Sequence, residues 1–220
     1  MNKLNILVAA GVSLALALTI SCSSEEEGGF TLPSSSSVVV EVCDNAETGE
    51  GTMTCGGQTY RTVQIGEQIW MAENLNYSVS GSRCYDNLES NCDIYGRLYS
   101  WSKAVAVCPS GWHLPTDEEW GILVVSVGGS TTGGYRLKTT SGWNYDRNGS
   151  DEFGFSGLPA GMGTTDDYFG QLGGSGNWWT ATEENWRNAV LRSVNDYSGN
   201  VRRSDVAAKG GLYSVRCIKD

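Results

Sequence analysis

Six cysteines beyond residue 22 constrain this chain more than any other feature: Cys43, Cys55, Cys84, Cys92, Cys108 and Cys217. An even set in an exported chain makes a disulfide framework, although six cysteines allow 15 connectivities. Metal binding would ask for Cys-x-x-Cys pairs or histidine partners; that spacing is absent, and His113 is the single histidine. Proximity pairs Cys43 with Cys55 and Cys84 with Cys92, which leaves Cys108 for Cys217 near the chain's end. Closing so long a loop is worth about 4–5 kcal/mol in the chain-entropy account. That crosslink matters in a chain with 29 Gly, 8 Trp and 10 Tyr. Glycine-rich turns between short aromatic and β-branched runs predict short strands, long loops and few helices.

The seventh cysteine, Cys22, closes the leader. Residues 1–21 carry Lys3 and then an apolar run from Leu4 to Ile20, the layout of a secretory signal peptide. Asn5, Gly11 and Ser13 interrupt that run, and a membrane span needs about 20 apolar residues. The following SSEEEGG is acidic, whereas a retained anchor favours basic flanks on the cytoplasmic side. Leu18-Thr19-Ile20-Ser21-Cys22 resembles a bacterial lipobox, with Thr19 where leucine is commonest, so Cys22 is the expected lipidation site. Several acyl chains together anchor stably where one does not.

Loss of Lys3 with the leader takes the formal net charge from -10 to -11. Such a chain lacks the basic footprint of a nucleic-acid binder and is not drawn to an anionic membrane, so the lipid must anchor it. Residues 22–40 read as a flexible Ser/Glu-rich tether. Its SSEEE resembles the acidic surface-export signal of Bacteroidota lipoproteins. The expected location is therefore the cell envelope, lipid-anchored at the outer membrane, with the outer surface open as a destination. Residues 41–56 form an N-terminal extension with a cysteine pair, and one domain occupies 57–220.

Within that domain, Cys108 to Trp120 reads CPSGWHLPTDEEW. Thr116 and Glu119 make a capping box, each side chain satisfying the other's backbone N–H. Asp117 and Glu118 suit the positive end of the helix dipole, and Pro115 stops any preceding helix. Trp120, Leu123, Val124 and Val127 fall on one helical face, and Gly128-Gly129 ends it. Trp112-His113-Leu114 reads as a short strand. His113 has apolar neighbours and no identifiable nucleophile partner, which marks it as structural and not catalytic.

Several blocks carry a family resemblance. They are Gln58-Thr59-Tyr60, Ile69-Trp70-Met71-Ala72-Glu73-Asn74-Leu75-Asn76-Tyr77, Tyr95-Gly96-Arg97-Leu98-Tyr99-Ser100-Trp101, the Cys108–Thr116 stretch, Gly154-Phe155-Ser156-Gly157-Leu158-Pro159-Ala160-Gly161, and Ser214-Val215-Arg216-Cys217. In this order they resemble the Fibrobacter succinogenes major paralogous domain, over about Gly57 to Asp220. More distantly, Leu114–Trp120 and Val215-Arg216-Cys217 are similar to formylglycine-generating enzymes and through them to the C-type lectin-like fold. The resemblance implies an α+β domain with short strands, few helices, long loops and adjacent termini. It also implies a disulfide from the first long helical region to the last strand, agreeing with Cys108–Cys217. No activity carries over with the major paralogous domain.

An oxidase of the formylglycine-generating type needs a cysteine pair near the C-terminal end, and Cys217 is the only cysteine after Cys108. A thiol committed to a disulfide is neither nucleophile nor metal ligand. No enzyme is expected, and that oxidase stands as the remote alternative. Asp146-Arg147-Asn148-Gly149-Ser150-Asp151-Glu152 clusters oxygen ligands but departs from the EF-hand pattern and reads as a turn; Thr164-Thr165-Asp166-Asp167 reads likewise. Lectin-like folds often bind calcium, so calcium stays open, yet Asn177-Trp178-Trp179 lacks the usual ligand motifs. No metal site or other cofactor is expected. Trp143, Tyr145, Tyr168 and Phe169 lie in glycine-rich loops, and aromatic rings among Asn, Asp and Gln suit stacking on sugars or contact with protein. They are the candidate ligand-binding residues. The expected function is non-catalytic adhesion or carbohydrate recognition at the cell surface, with protein interaction or a structural surface role as the alternative. The partners would be polysaccharide or a cell-surface protein.

Overall fold

The computed structural model describes Cys43, Thr48, Gly49 and residues 51–220. The leader, the expected lipidation site Cys22 and the tether lie outside the described residues. The chain enters through β1 (Thr48–Gly49), β2 (Thr52–Cys55), β3 (Gln58–Ile65) and β4 (Gln68–Met71), which follow one another antiparallel. Between Cys55 and Gln58 the turn is Gly56-Gly57, both at positive φ. A two-residue hairpin loop that matches strand twist wants that geometry, and glycine adopts it without a Cβ clash.

Two short helices follow, α1 (Glu89–Tyr95) and α2 (Trp101–Val107), then β5 (Trp112–His113) and the longer α3 (Asp117–Ser126). The capping box is formed at the start of α3: Glu119 N–H donates to Thr116 Oγ1 at 3.2 Å, and Thr116 N–H donates to Glu119 Oε2 at 2.7 Å. The final strand, β11 (Ile218–Lys219), lies between β4 and β5 and completes a six-stranded sheet. Its register puts Ile218 opposite both Trp70 and His113. The last residues of the chain thus sit beside the segment that begins at Cys108.

A five-residue helix, α4 (Gly133–Leu137), leads into long loops containing the small hairpin β6 (Met162–Gly163) and β7 (Phe169–Gly170). The remaining sheet is β8 (Ser175–Glu183), β9 (Asn188–Asn195) and β10 (Arg202–Ala208), in the order β10-β9-β8. Four helices, short strands and antiparallel sheets make this a mixed α+β domain. Among the described residues no helix is long and apolar enough to cross a membrane.

Two large apolar clusters fill the interior. In one, Trp70, Trp120, Phe155 and Trp178 form an aromatic cage, with Trp120 centred 5.1, 5.8 and 5.8 Å from the other three rings in turn. The second gathers Met53, Tyr60, Tyr99, Trp112, Trp179 and Val215 around the buried cysteines Cys43, Cys55 and Cys217. Pairing is Cys43–Cys55, Cys84–Cys92 and Cys108–Cys217, at Cα separations of 5.4, 5.0 and 5.9 Å. All three fall in the range that disulfide geometry allows.

Candidate functional site

The loop from β9 to β10 is tied down at several points. It turns at Asn195, whose Oδ1 accepts from Ser198 Oγ at 3.0 Å. Asp196 N–H donates to Gly174 O at 2.9 Å, Val201 N–H to Ser130 O at 2.8 Å, and Tyr135 N–H to Gly199 O at 3.1 Å. Each end of the loop is thereby tied to a different segment. Helix α4 presses directly on it at Gly134, where an added Cβ would lie 2.6 Å from Asn200 O. Only glycine permits that approach.

Tyr197 stands on this fixed loop with 64 % of its surface exposed. Arg202 Nη1 donates to its hydroxyl at 2.9 Å, so the ring is held and not free to sweep. On one side lies a cleft of about 320 Å³, lined by Gln171, Ser175, Asn177, Ser193, Asn195 and Arg202 besides Asp196 and Tyr197. Its floor is already cross-linked: Ser175 Oγ donates to Gln171 Oε1 at 2.6 Å, and Asn177 Nδ2 donates to Ser175 Oγ at 2.7 Å and Gly161 O at 3.0 Å. A second cleft of about 280 Å³ shares Asp196 and Tyr197 with the first. Amide and hydroxyl groups offer both donors and acceptors, and an adjacent aromatic face adds an apolar platform. Such a surface presents the groups that a hydroxyl-rich ligand would use.

The four aromatic candidates separate. Tyr145 and Tyr168 are exposed, at 82 % and 62 %, but line neither cleft. Trp143, expected on the surface, is buried: its Nε1 donates to Thr139 Oγ1 at 3.1 Å and its ring lies 4.8 Å from Lys138 Nζ. The glycine-rich setting concealed this, because the partners that cover the ring come from Thr139, Lys138 and the core cluster of Trp70, Trp120, Phe155 and Trp178. Phe169 is also corrected. It lies in β7, half-buried, with its ring 5.3 Å from that of Tyr85. Its neighbour Tyr168, just before the strand, is exposed.

His113 bridges two carboxylates, with Nδ1 2.6 Å from Asp220 Oδ1 and Nε2 2.8 Å from Glu119 Oε1. Partial burial lowers its pKa, but its hydrogen bonds to these carboxylates, with their charge, outweigh that and raise it above 6.5. Its role joins the chain terminus to the start of α3. In the Asp146–Glu152 turn, Asp151 accepts from Ser156 N–H and Ser156 Oγ, and Asn148 Oδ1 accepts from Trp143 N–H. These oxygens therefore hold the loop together. Cys84, Glu89 and Cys92 also converge, within 4.8 Å, but the two sulfurs are joined to one another and are not thiolate ligands. Tyr197 and its amide neighbours were not singled out from the sequence. Asn177 alone was visible as a strand position of interest.

These features define a disulfide-braced α+β domain carrying a polar, internally hydrogen-bonded cleft beside an exposed aromatic ring. The family model for the Fibrobacter succinogenes major domain matches residues 63–219, and the chain belongs to that family. Comparison with curated proteins and with solved structures gives no match.

Proposed function

We propose that this protein is a cell-envelope lipoprotein whose lectin-like domain binds polysaccharide without chemical turnover. The observation that carries the reading is Tyr197, exposed yet fixed, at the rim of a cleft lined with Gln171, Ser175, Asn177, Ser193 and Asn195. Sugars present axial C–H faces to aromatic rings and hydroxyls to amides, so this pairing of groups suits them. The lectin-like assignment is supported by β11 returning between β4 and β5 and by the disulfide that ties Cys108 to the residue before it. The non-catalytic reading is supported by His113, whose two nitrogens both face carboxylates, and by Cys217, whose sulfur is bonded to Cys108.

The test is retention of the purified full-length protein on insoluble xylan and glucan and on polygalacturonate gels. Tyr197→Ala should abolish retention while leaving the melting temperature within about 2 °C, as an exposed substitution does. Equal retention of the variant would remove the cleft from consideration. Anchoring is tested separately: Cys22→Ala should release the protein into the soluble fraction. A second reading, protein interaction, is favoured by Trp186, which is 76 % exposed at the β8–β9 turn with the Arg187 guanidinium 4.1 Å from its ring centroid. Trp186→Ala would weaken capture of a partner protein and leave polysaccharide retention intact.

A further inference from the structure

The second cleft beside Tyr197 differs in charge from the first. Its wall includes Lys138, Arg147 and Tyr135 together with Asn148, and Asp196 and Tyr197 are common to both clefts. Lys138 is only 3 % exposed and has no carboxylate within ion-pair distance. Its ammonium donates to Arg147 O at 2.7 Å and Asn195 O at 3.3 Å, and the Trp143 ring lies 4.8 Å away. An ammonium has three donors, so one N–H is left beyond these two carbonyls. Burial lowers the Lys138 pKa, with Asp196 opposing and Arg147 adding to the shift. That is the state of a cation short of negative charge.

Arg147 and Arg202 are both exposed, and neither forms a salt bridge. Arg202 spends one donor on the Tyr197 hydroxyl, and Arg147 lies 5.4 Å from the Tyr145 ring. Three cations therefore flank Tyr197 against the single carboxylate of Asp196, in a chain of net charge -10. Leaving a buried cation without a carboxylate is costly unless something completes it.

We propose that the paired clefts take an acidic polysaccharide, with a sugar ring against Tyr197 and a ring carboxylate in the cleft of Lys138 and Arg147. This rests on the polysaccharide reading above and names its substrate class: uronate-containing chains. The hydroxyl-lined cleft holds one residue of the chain, and the cationic cleft across Tyr197 holds the carboxylate of another. Charge-assisted hydrogen bonds from ammonium and guanidinium groups supply the discrimination.

The experiment uses the full-length protein and two probes of the same backbone, polygalacturonate and its fully methyl-esterified form, with affinity measured by calorimetry. Polygalacturonate should bind about tenfold more tightly than the ester. Arg147→Gln is a surface change that spares the fold. It should weaken polygalacturonate binding severalfold and leave the ester unaffected. Salt gives an independent readout. A polyanion meeting this acidic chain without a cationic cleft would bind better as salt screens repulsion, so weaker binding at high salt is the expected sign.

Equal affinity for the two polymers, with Tyr197→Ala abolishing both, would overturn the acidic-ligand inference and leave the polysaccharide reading standing. Binding to neither, nor to xylan or glucan, would overturn both.

Discussion

Nε of Arg216 donates to Oδ1 of Asn74 across 2.9 Å, joining residues 142 positions apart in the chain. The same oxygen accepts from Trp178 Nε1 at 2.9 Å, and Asn74 Nδ2 donates to Tyr95 O at the same distance. Arg216 is fully buried, with its guanidinium 4.1 Å from the Phe155 ring centroid; it donates also to the carbonyls of Met71, Phe155 and Ser156. One asparagine thus ties the β4 region, α1, β8 and the C-terminal segment together. Asn74→Leu would strand a buried guanidinium N–H and an indole N–H, and should cost about 3 kcal/mol. Asn74→Asp keeps the acceptor and should cost less. Urea unfolding distinguishes them; a wild-type midpoint for the leucine variant would show that Asn74 is not the tie.

The Cys108–Cys217 bond spans 109 residues. Replacing both cysteines by serine should lower stability by about 4 kcal/mol, since the unfolded chain regains the freedom of that loop. Digestion without reductant should yield one linked peptide holding both residues, separate from the Cys43–Cys55 and Cys84–Cys92 peptides. A free thiol at Cys217 in the folded protein would reopen the oxidase chemistry.

Buried and exposed rings should divide cleanly. Trp120→Ala opens a cavity in the aromatic cage, and Trp143→Ala uncovers Lys138; each should cost about 3–5 kcal/mol. Tyr145→Ala and Tyr168→Ala should change stability by no more than about 0.5 kcal/mol. Thermal melts of the four variants check this. A Tyr168 variant that melts like the Trp120 variant would place that ring in the core.

The His113 bridge makes stability depend on pH. Its pKa is raised above 6.5 in the folded protein, so its contribution is complete below pH 6.5 and is lost as pH climbs through the folded value. For Glu119, burial raises the pKa, but hydrogen bonds from Thr116 and His113 bring it below 4.5. Its contribution holds above pH 4.5 and is lost on further acidification. Melting temperature should therefore peak between about pH 4.5 and 6.5 for this cluster. His113→Gln should flatten the decline above pH 6.5; an unchanged slope would assign that decline to other groups.

Thr116→Ala removes one half of the capping box and should cost about 1 kcal/mol. Because Glu119 Oε2 also accepts from Thr116 Oγ1, at 2.9 Å, the variant should in addition weaken the His113 contribution below pH 6.5. A combined Thr116→Ala and His113→Gln variant should then lose less than the sum of the two single losses.

Local chemistry was readable from the sequence alone. The start of α3 follows from Thr116 and Glu119 at capping-box spacing, and its inward face from Trp120, Leu123, Val124 and Val127. The short disulfides follow from proximity, and the long one from what remained. All of these depend on residues near each other in the chain or on counting, which a linear reading handles. The interior role of Arg216, the burial of Trp143 and the placing of Tyr197 came only from the tertiary structure. Arg216 needs an asparagine 142 residues away. Tyr197 needs α4 to close on its loop at Gly134, and β8 to supply Asn177 across the cleft. Composition places rings in loops, but long-range contacts decide which of those rings meet water, because burial is a property of neighbours and not of the residue itself.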